Sequence, residues 1–87
     1  MSWVCYMLRC ADGTLYTGIT NDLEKRLDAH NEGLAAKYTR ARGPVMPVLV
    51  EECGNRSSAL KREMAIKGMT RAEKLALIRS SMRETGD

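Results

Sequence analysis

Long apolar runs are missing from this 87-residue chain. None approaches the ~18 residues that cross a bilayer as a helix, which excludes a membrane-spanning helix. Met1-Ser2-Trp3 carries no charged leader ahead of a signal-like apolar stretch, so the expected location is cytoplasmic. Cysteine is scarce and odd in number. Cys5, Cys10 and Cys53 show neither CxxC spacing nor a disulfide framework, which fits free thiols in a reducing compartment. One histidine, His30, argues against a Cys/His zinc site. Neither a Rossmann glycine loop nor a Walker A loop occurs, so nucleotide binding by those routes is unsupported.

What is present suffices for one small domain. The chain is 44% apolar and 29% charged, ordinary for a globular protein, and a chain of this size hides roughly 60 to 65% of its unfolded surface, enough for a single core. Fourteen Lys and Arg against eleven acids leave a net charge of +3, so placement says more than size. Lys37-Tyr38-Thr39-Arg40-Ala41-Arg42 holds three cations, one aromatic and no acid. Lys37, Tyr38, Arg40 and Arg42 therefore read equally well as a solvated loop or as a contact for a polyanion.

Trp3 to Cys10 is a nearly unbroken apolar run, a buried strand that enters a hairpin at Ala11-Asp12-Gly13. Thr14 to Thr20 forms the second strand. A helix capped around Thr20-Asn21-Asp22 carries the stripe of Leu23 and Leu27 and should stop at Gly33. The basic loop runs on to Gly43-Pro44. Val45 to Cys53 reads as a third strand, with Pro47 at a sheet edge or bulge because it cannot donate a ladder hydrogen bond. Ser57 or Ser58 should cap a second helix ending at Gly68. Thr70 and Glu73 form a capping box that opens a last helix carrying Ala72, Leu75, Ala76, Ile78 and Met82. The expected architecture is α+β, a small three-stranded antiparallel sheet flanked by helices, with residues 1–83 as one domain and 84–87 as a frayed tail.

Three polar features stand where apolar residues are expected. In the hairpin, a two-residue Asp12-Gly13 loop sends Tyr6 and Tyr16 to opposite faces. A three-residue loop with Gly13 left-handed pairs Tyr6 with Gly18 and places both phenols on one face. The sequence leaves both registers open. On the first helix, Arg26 and His30 are one turn apart, as in a phosphate-binding pair or as a surface Arg beside a helix-terminal His. On the second helix, Ala59, Leu60, Met64 and Ile66 fall within an arc of about 160° and Glu63 projects near its middle. A carboxylate facing the protein body needs a cation: Arg26, a lysine or a divalent metal. Together these groups suggest metal-assisted phosphodiester hydrolysis.

The sequence at this point resembles the GIY-YIG nuclease superfamily. Val4-Cys5-Tyr6 stands where that family has its GIY triplet and Tyr16-Thr17-Gly18 where it has YIG. The likeness runs through Asp12 to Thr20, Arg26, His30, Lys37-Tyr38-Thr39-Arg40 and Arg62-Glu63, and is strongest to the short stand-alone bacterial members. The first triplet keeps only its tyrosine, and no asparagine stands near Leu75, where many family nucleases carry one. The resemblance implies a DNA endonuclease using one divalent ion, Mg2+ or Mn2+, acting for example on branched or damaged DNA. It assigns Tyr6 and Tyr16 to nucleophile activation and positioning, Arg26 to phosphate and transition-state charge, His30 to an auxiliary polar contact and Glu63 to the metal. RNA stays open as a second polymer, and the lack of an attached specificity domain leaves room for a targeting protein partner. The competing expectations are a non-catalytic nucleic-acid-binding module on the same fold and, behind it, a protein-interaction module built on the last helix.

Overall fold

Every second residue of the first strand faces the same way, and here both faces are covered. A computed structural model of the chain describes residues 2–85, with side chains as far as 82. Strands β1 (Val4–Arg9), β2 (Leu15–Thr20) and β3 (Met46–Glu52) form one antiparallel sheet in the order β2-β1-β3. Because β1 is central, Val4, Tyr6 and Leu8 pack with Cys10 and Val45 under Leu23 and Leu27, whereas Cys5 and Met7 pack with Leu49, Ile66 and Ile78 on the opposite face. Burial on both sides explains the continuous apolar run, which alternation alone would not produce. Cys5 and Cys10 accordingly lie in different clusters, and all three cysteines are free.

One face carries α1 (Leu23–Asn31) and a single-turn helix α2 (Lys37–Arg40). The other carries α3 (Arg56–Lys67) and α4 (Arg71–Thr85). Asp22 caps α1 by accepting from the Lys25 amide, and Gly33 takes the left-handed conformation just beyond the helix end, with φ of 77°. The expected Thr70–Glu73 box is present: the Glu73 carboxylate accepts from the Thr70 amide at 2.8 Å and the Thr70 hydroxyl from the Glu73 amide at 3.2 Å. Pro47 lies both on an edge strand and at a bulge, since Met7 pairs with Leu49 and Leu8 with Pro47, leaving Val48 extra.

Four expectations are corrected. The basic stretch includes the helical turn α2 rather than being loop throughout. Asn55, not Ser57 or Ser58, caps α3, its side chain accepting from the Ser58 amide at 2.8 Å; the amide oxygen one residue before the helix reaches the orphan donor and the serines lie inside the first turn. Met64 is 72% exposed because α3 buries a narrow line through Ala59 and Ile66, from which Met64 is rotated well away. On α4, Ala72, Ala76 and Met82 are exposed; Leu75, Leu77 and Ile78 make the packing. Of the tail expected at 84–87, residues 84–85 continue α4 and 86–87 lie outside the described residues. Among the described residues no helix is long and apolar enough to cross a membrane.

Candidate nuclease site

The hairpin adopts the three-residue loop. Gly13 is left-handed at φ 86°, its amide donates to the Cys10 carbonyl, and Tyr6 stands opposite Gly18. This register puts both phenols on the α1 face, with ring centroids 6.5 Å apart. The bare backbone of Gly18 is what lets the Tyr6 ring cross β2: a Cβ there would stand 2.6 Å from the Tyr6 hydroxyl oxygen and 2.8 Å from the carbon bearing it.

His30 meets that hydroxyl. Its side chain is buried among the rings, with 1% of the residue exposed. Nε2 lies 2.9 Å from the Tyr6 oxygen and Nδ1 lies 2.8 Å from Oγ1 of Thr39. The Thr39 hydroxyl donates to the Ala36 carbonyl at 3.2 Å. A hydroxyl has one proton, so Thr39 must accept from Nδ1–H; Nε2 is then the bare nitrogen and accepts the Tyr6 proton. The whole chain of donors runs one way, from Tyr6 to His30 to Thr39 to Ala36. Thr39 is the residue sequence reasoning missed. It was in view inside the basic segment, but nothing in the spacing of residues 30 and 39 shows that the turn after α1 brings α2 back onto the imidazole.

Charge follows from burial. Desolvation holds the His30 pKa below its ordinary value of 6.5, and the Arg26 guanidinium acts in the same direction, so the imidazole is neutral at pH 7. Burial pushes the Tyr6 phenol up to about 12; the adjacent Arg26 pulls the other way, and Tyr16 and Glu63 add to the rise. Arg26 itself is exposed, one turn before His30 on α1.

Glu63 approaches from the opposite side of the sheet. On α3, Arg62 forks onto Glu51 of β3, with Nε 2.6 Å from Oε1 and Nη2 3.1 Å from Oε2. Glu63, a further 100° around the helix, turns toward the β2 flank. Its side chain is 17% exposed, and Nζ of Lys67 is 3.3 Å from Oε2. The inward carboxylate thus has the cation its burial required, a lysine. Lys67 is 55% exposed, so the pair faces solvent and is weakly held. Among the described residues no cluster of three His, Cys, Asp or Glu exists to enclose a metal. A partly open carboxylate fits a magnesium ion that completes its shell with water and substrate oxygens, and Glu63 would hold it.

The four basic-segment residues behave differently from one another. Lys37 and Arg40 are exposed. The Tyr38 ring lies 5.9 Å from that of Tyr16 and is continuous with the site. Arg42 is occupied within the protein: its guanidinium sits 4.2 Å over the Tyr38 ring, Nε contacts Asp12 at 3.1 Å and Nη1 donates to the Tyr38 carbonyl at 2.8 Å.

Comparison with known families gives the class of domain that carries these groups. The model of the GIY-YIG catalytic domain matches residues 2–76, and the chain belongs to that nuclease family. It is 56% identical over 75 residues to a UPF0213 protein of Clostridium perfringens, covering 86% of this chain and 81% of that one. It is 48% identical over 81 residues to a UPF0213 protein of Desulfotalea psychrophila, covering 92% and 74%. Among solved structures, the solution structure of a UPF0213 protein from Bacillus halodurans superposes with a TM-score of 0.59 at 37% identity, covering 91% of this chain and 84% of that chain. The solution structure of a protein from E. faecalis gives 0.60 at 40% identity, covering 88% of this chain and 83% of that chain. These relatives are of the short single-domain bacterial type.

Proposed function

We propose that this protein is a divalent-metal-dependent endonuclease that hydrolyses DNA phosphodiester bonds, with branched or damaged DNA as its substrate class. The observation that carries the reading is the Tyr6 hydroxyl held between Gly18 and a neutral, tautomer-fixed His30 with Arg26 alongside. Family membership supports nucleic acid as the substrate and a divalent ion as the cofactor.

A phenol with its pKa near 12 is a poor base by itself at neutral pH. Its hydrogen-bond partner changes that. As water attacks phosphorus, it passes a proton to the Tyr6 oxygen while Tyr6 passes its own to Nε2 of His30, so no free phenolate is needed. The imidazole then carries the charge, still donating from Nδ1 to Thr39. Arg26, exposed on α1, turns from the phenol onto the phosphate, opening the Tyr6 oxygen to water and neutralising charge on the equatorial oxygens. Tyr16, half-buried over the same site, positions the nucleophile. A Mg2+ or Mn2+ ion held by Glu63 would supply electrostatic stabilisation of the phosphoryl oxygens and leaving group. Lys37, Tyr38 and Arg40 extend the contact to the DNA backbone, while Arg42 serves by fixing the Tyr38 ring.

The test incubates purified protein with branched, nicked and linear DNA and Mg2+ or Mn2+. Cleavage is expected to fall by about 10²–10³ in Arg26→Ala, which removes the cation that meets the phosphate charge, and at least as far in Glu63→Ala. Undiminished cleavage in both variants would place the activity elsewhere. The Lys67–Glu63 pair favours one second reading, a binding module whose carboxylate serves structure; salt-sensitive DNA binding with no turnover on any substrate would establish it.

A further inference from the structure

Among the described residues the outer edge of β2 has no strand partner, because β2 is terminal in the order β2-β1-β3. Gly18, where the Tyr6 phenol crosses, lies partway along it. From Leu15 to Thr20 the strand spans roughly 16 Å at the usual rise per residue. A hollow opens at each end. At the Thr20 end one of about 230 Å³ is lined by residues that include Asn21, Asp22, Lys25 and Arg26. At the hairpin end one of about 210 Å³ is lined by Thr14, Leu15, Tyr38, Arg71 and Lys74. Arg71 also walls a third hollow of about 250 Å³, which continues around the hairpin tip to Arg9.

The two ends differ in charge. At the Thr20 end, Lys25 and Arg26 are offset by the carboxylate of Asp22. At the hairpin end, the acid nearest the tip, Asp12, is already joined to Arg42. Among the described residues no carboxylate lies within ion-pair distance of Arg71 or Lys74, and Arg71 is pinned to the tip by donating from Nη2 to the Gly13 carbonyl at 3.1 Å. Tyr38, 39% exposed, joins this hollow to the Tyr16 ring and so to the cleft. The hairpin end is thus a cationic groove with an apolar floor at Leu15, continuous through Tyr38 with the tyrosine site.

We propose that the DNA strand flanking the scissile phosphate runs along the outer edge of β2 and over the hairpin tip, where Arg71 and Lys74 bind its phosphates. The inference rests on the nuclease reading of the cleft and adds the route of the substrate. Single-stranded or locally opened DNA fits the groove, because phosphates on one flank and an unstacked base against Leu15 and Tyr38 require a strand free of its complement.

The experiment measures binding without turnover. Wild-type protein in EDTA is titrated with a labelled single-stranded oligonucleotide of about twelve nucleotides at several salt concentrations. Removing one cation that neutralises a phosphate lowers the slope of log affinity against log salt by about 0.7 on single strands. Arg71→Ala/Lys74→Ala is expected to lower it by about 1.4 and Lys74→Ala alone by about 0.7. Lys74 makes no hydrogen bond to the hairpin, so its variant reads DNA binding rather than folding. Lys61→Ala, on the side of α3 turned away from Glu63, should leave the slope unchanged. Unchanged slopes in both groove variants, an equal fall in Lys61→Ala, or no binding by the wild type would each overturn the route. Expected slopes without metal-dependent cleavage would retain the groove and remove the nuclease reading.

Discussion

Gly18→Ala is expected to cost the protein both stability and activity. The added carbon would stand 2.6 Å from the Tyr6 hydroxyl oxygen, 2.8 Å from its Cζ and 3.2 Å from a ring carbon of Tyr16. The Tyr6 ring has little room to retreat: it is 1% exposed and packs with Val4, Leu8, Cys10 and Val45 beneath α1. Overpacking of this kind typically costs about 1–3 kcal/mol, read as a lower denaturant midpoint with an unchanged slope. The hydroxyl must also leave His30, and a displacement near 1 Å in a positioned reacting group costs about 10²-fold in rate. Thermal or urea unfolding and a cleavage assay on the same preparation check both halves. An alanine variant with wild-type stability and rate would mean that the close approach at residue 18 is unimportant.

The second large effect belongs to His30. Its lowered pKa sets the sign of two pH dependences. The unfolded chain takes up the proton near pH 6.5 and the folded one only at lower pH, so the stability contributed by neutral His30 is complete above pH 6.5 and is lost as pH falls through that value toward the folded pKa. Cleavage likewise depends on bare Nε2, so its acid limb should lie below pH 6.5. His30→Ala removes the acceptor for Tyr6 and leaves that buried hydroxyl without its partner, while Thr39 still donates to the Ala36 carbonyl. General acid–base groups of this kind contribute about 10²–10⁴ in rate, and each unsatisfied buried group costs about 1–3 kcal/mol. The rate of His30→Ala is expected to fall within that range and to lose the acid limb. A wild-type acid limb centred above pH 6.5, or one retained in His30→Ala, would assign the titration to another group.

How much of this was legible beforehand depended on whether the deciding interaction was local. The sheet, the order of strands and helices, the Thr70–Glu73 box and the place of Pro47 follow from periodicity and turn chemistry within a few residues. The inward side of Glu63 was legible because a helix repeats every 100°, and the same reasoning misplaced Met64 because it fixes an arc but not where on that arc the sheet touches. The hairpin left two registers open; left-handed Gly13 and the fit of Tyr6 over Gly18 select one. The burial of His30 was hidden because it depends on α2 folding back, a contact between segments that no period relates.

Arg42 gives the same lesson from the other side. In sequence it is one of three equivalent cations. In the fold it bridges Asp12, the Tyr38 ring and the Tyr38 carbonyl, so its charge is met internally, while Arg71 and Lys74, distant in sequence and unremarkable in pattern, line the open groove beside it.

The account stands on the Tyr6 hydroxyl as the group through which a proton reaches His30. The most direct measurement is single-turnover cleavage of a labelled branched DNA in Mg2+ by wild type and by Tyr6→Phe, which keeps the ring and removes only the oxygen. A fall of about 10²–10⁴ in rate, with the fold retained and DNA affinity near wild type, is the expected result. Equal single-turnover rates in the two proteins would contradict it.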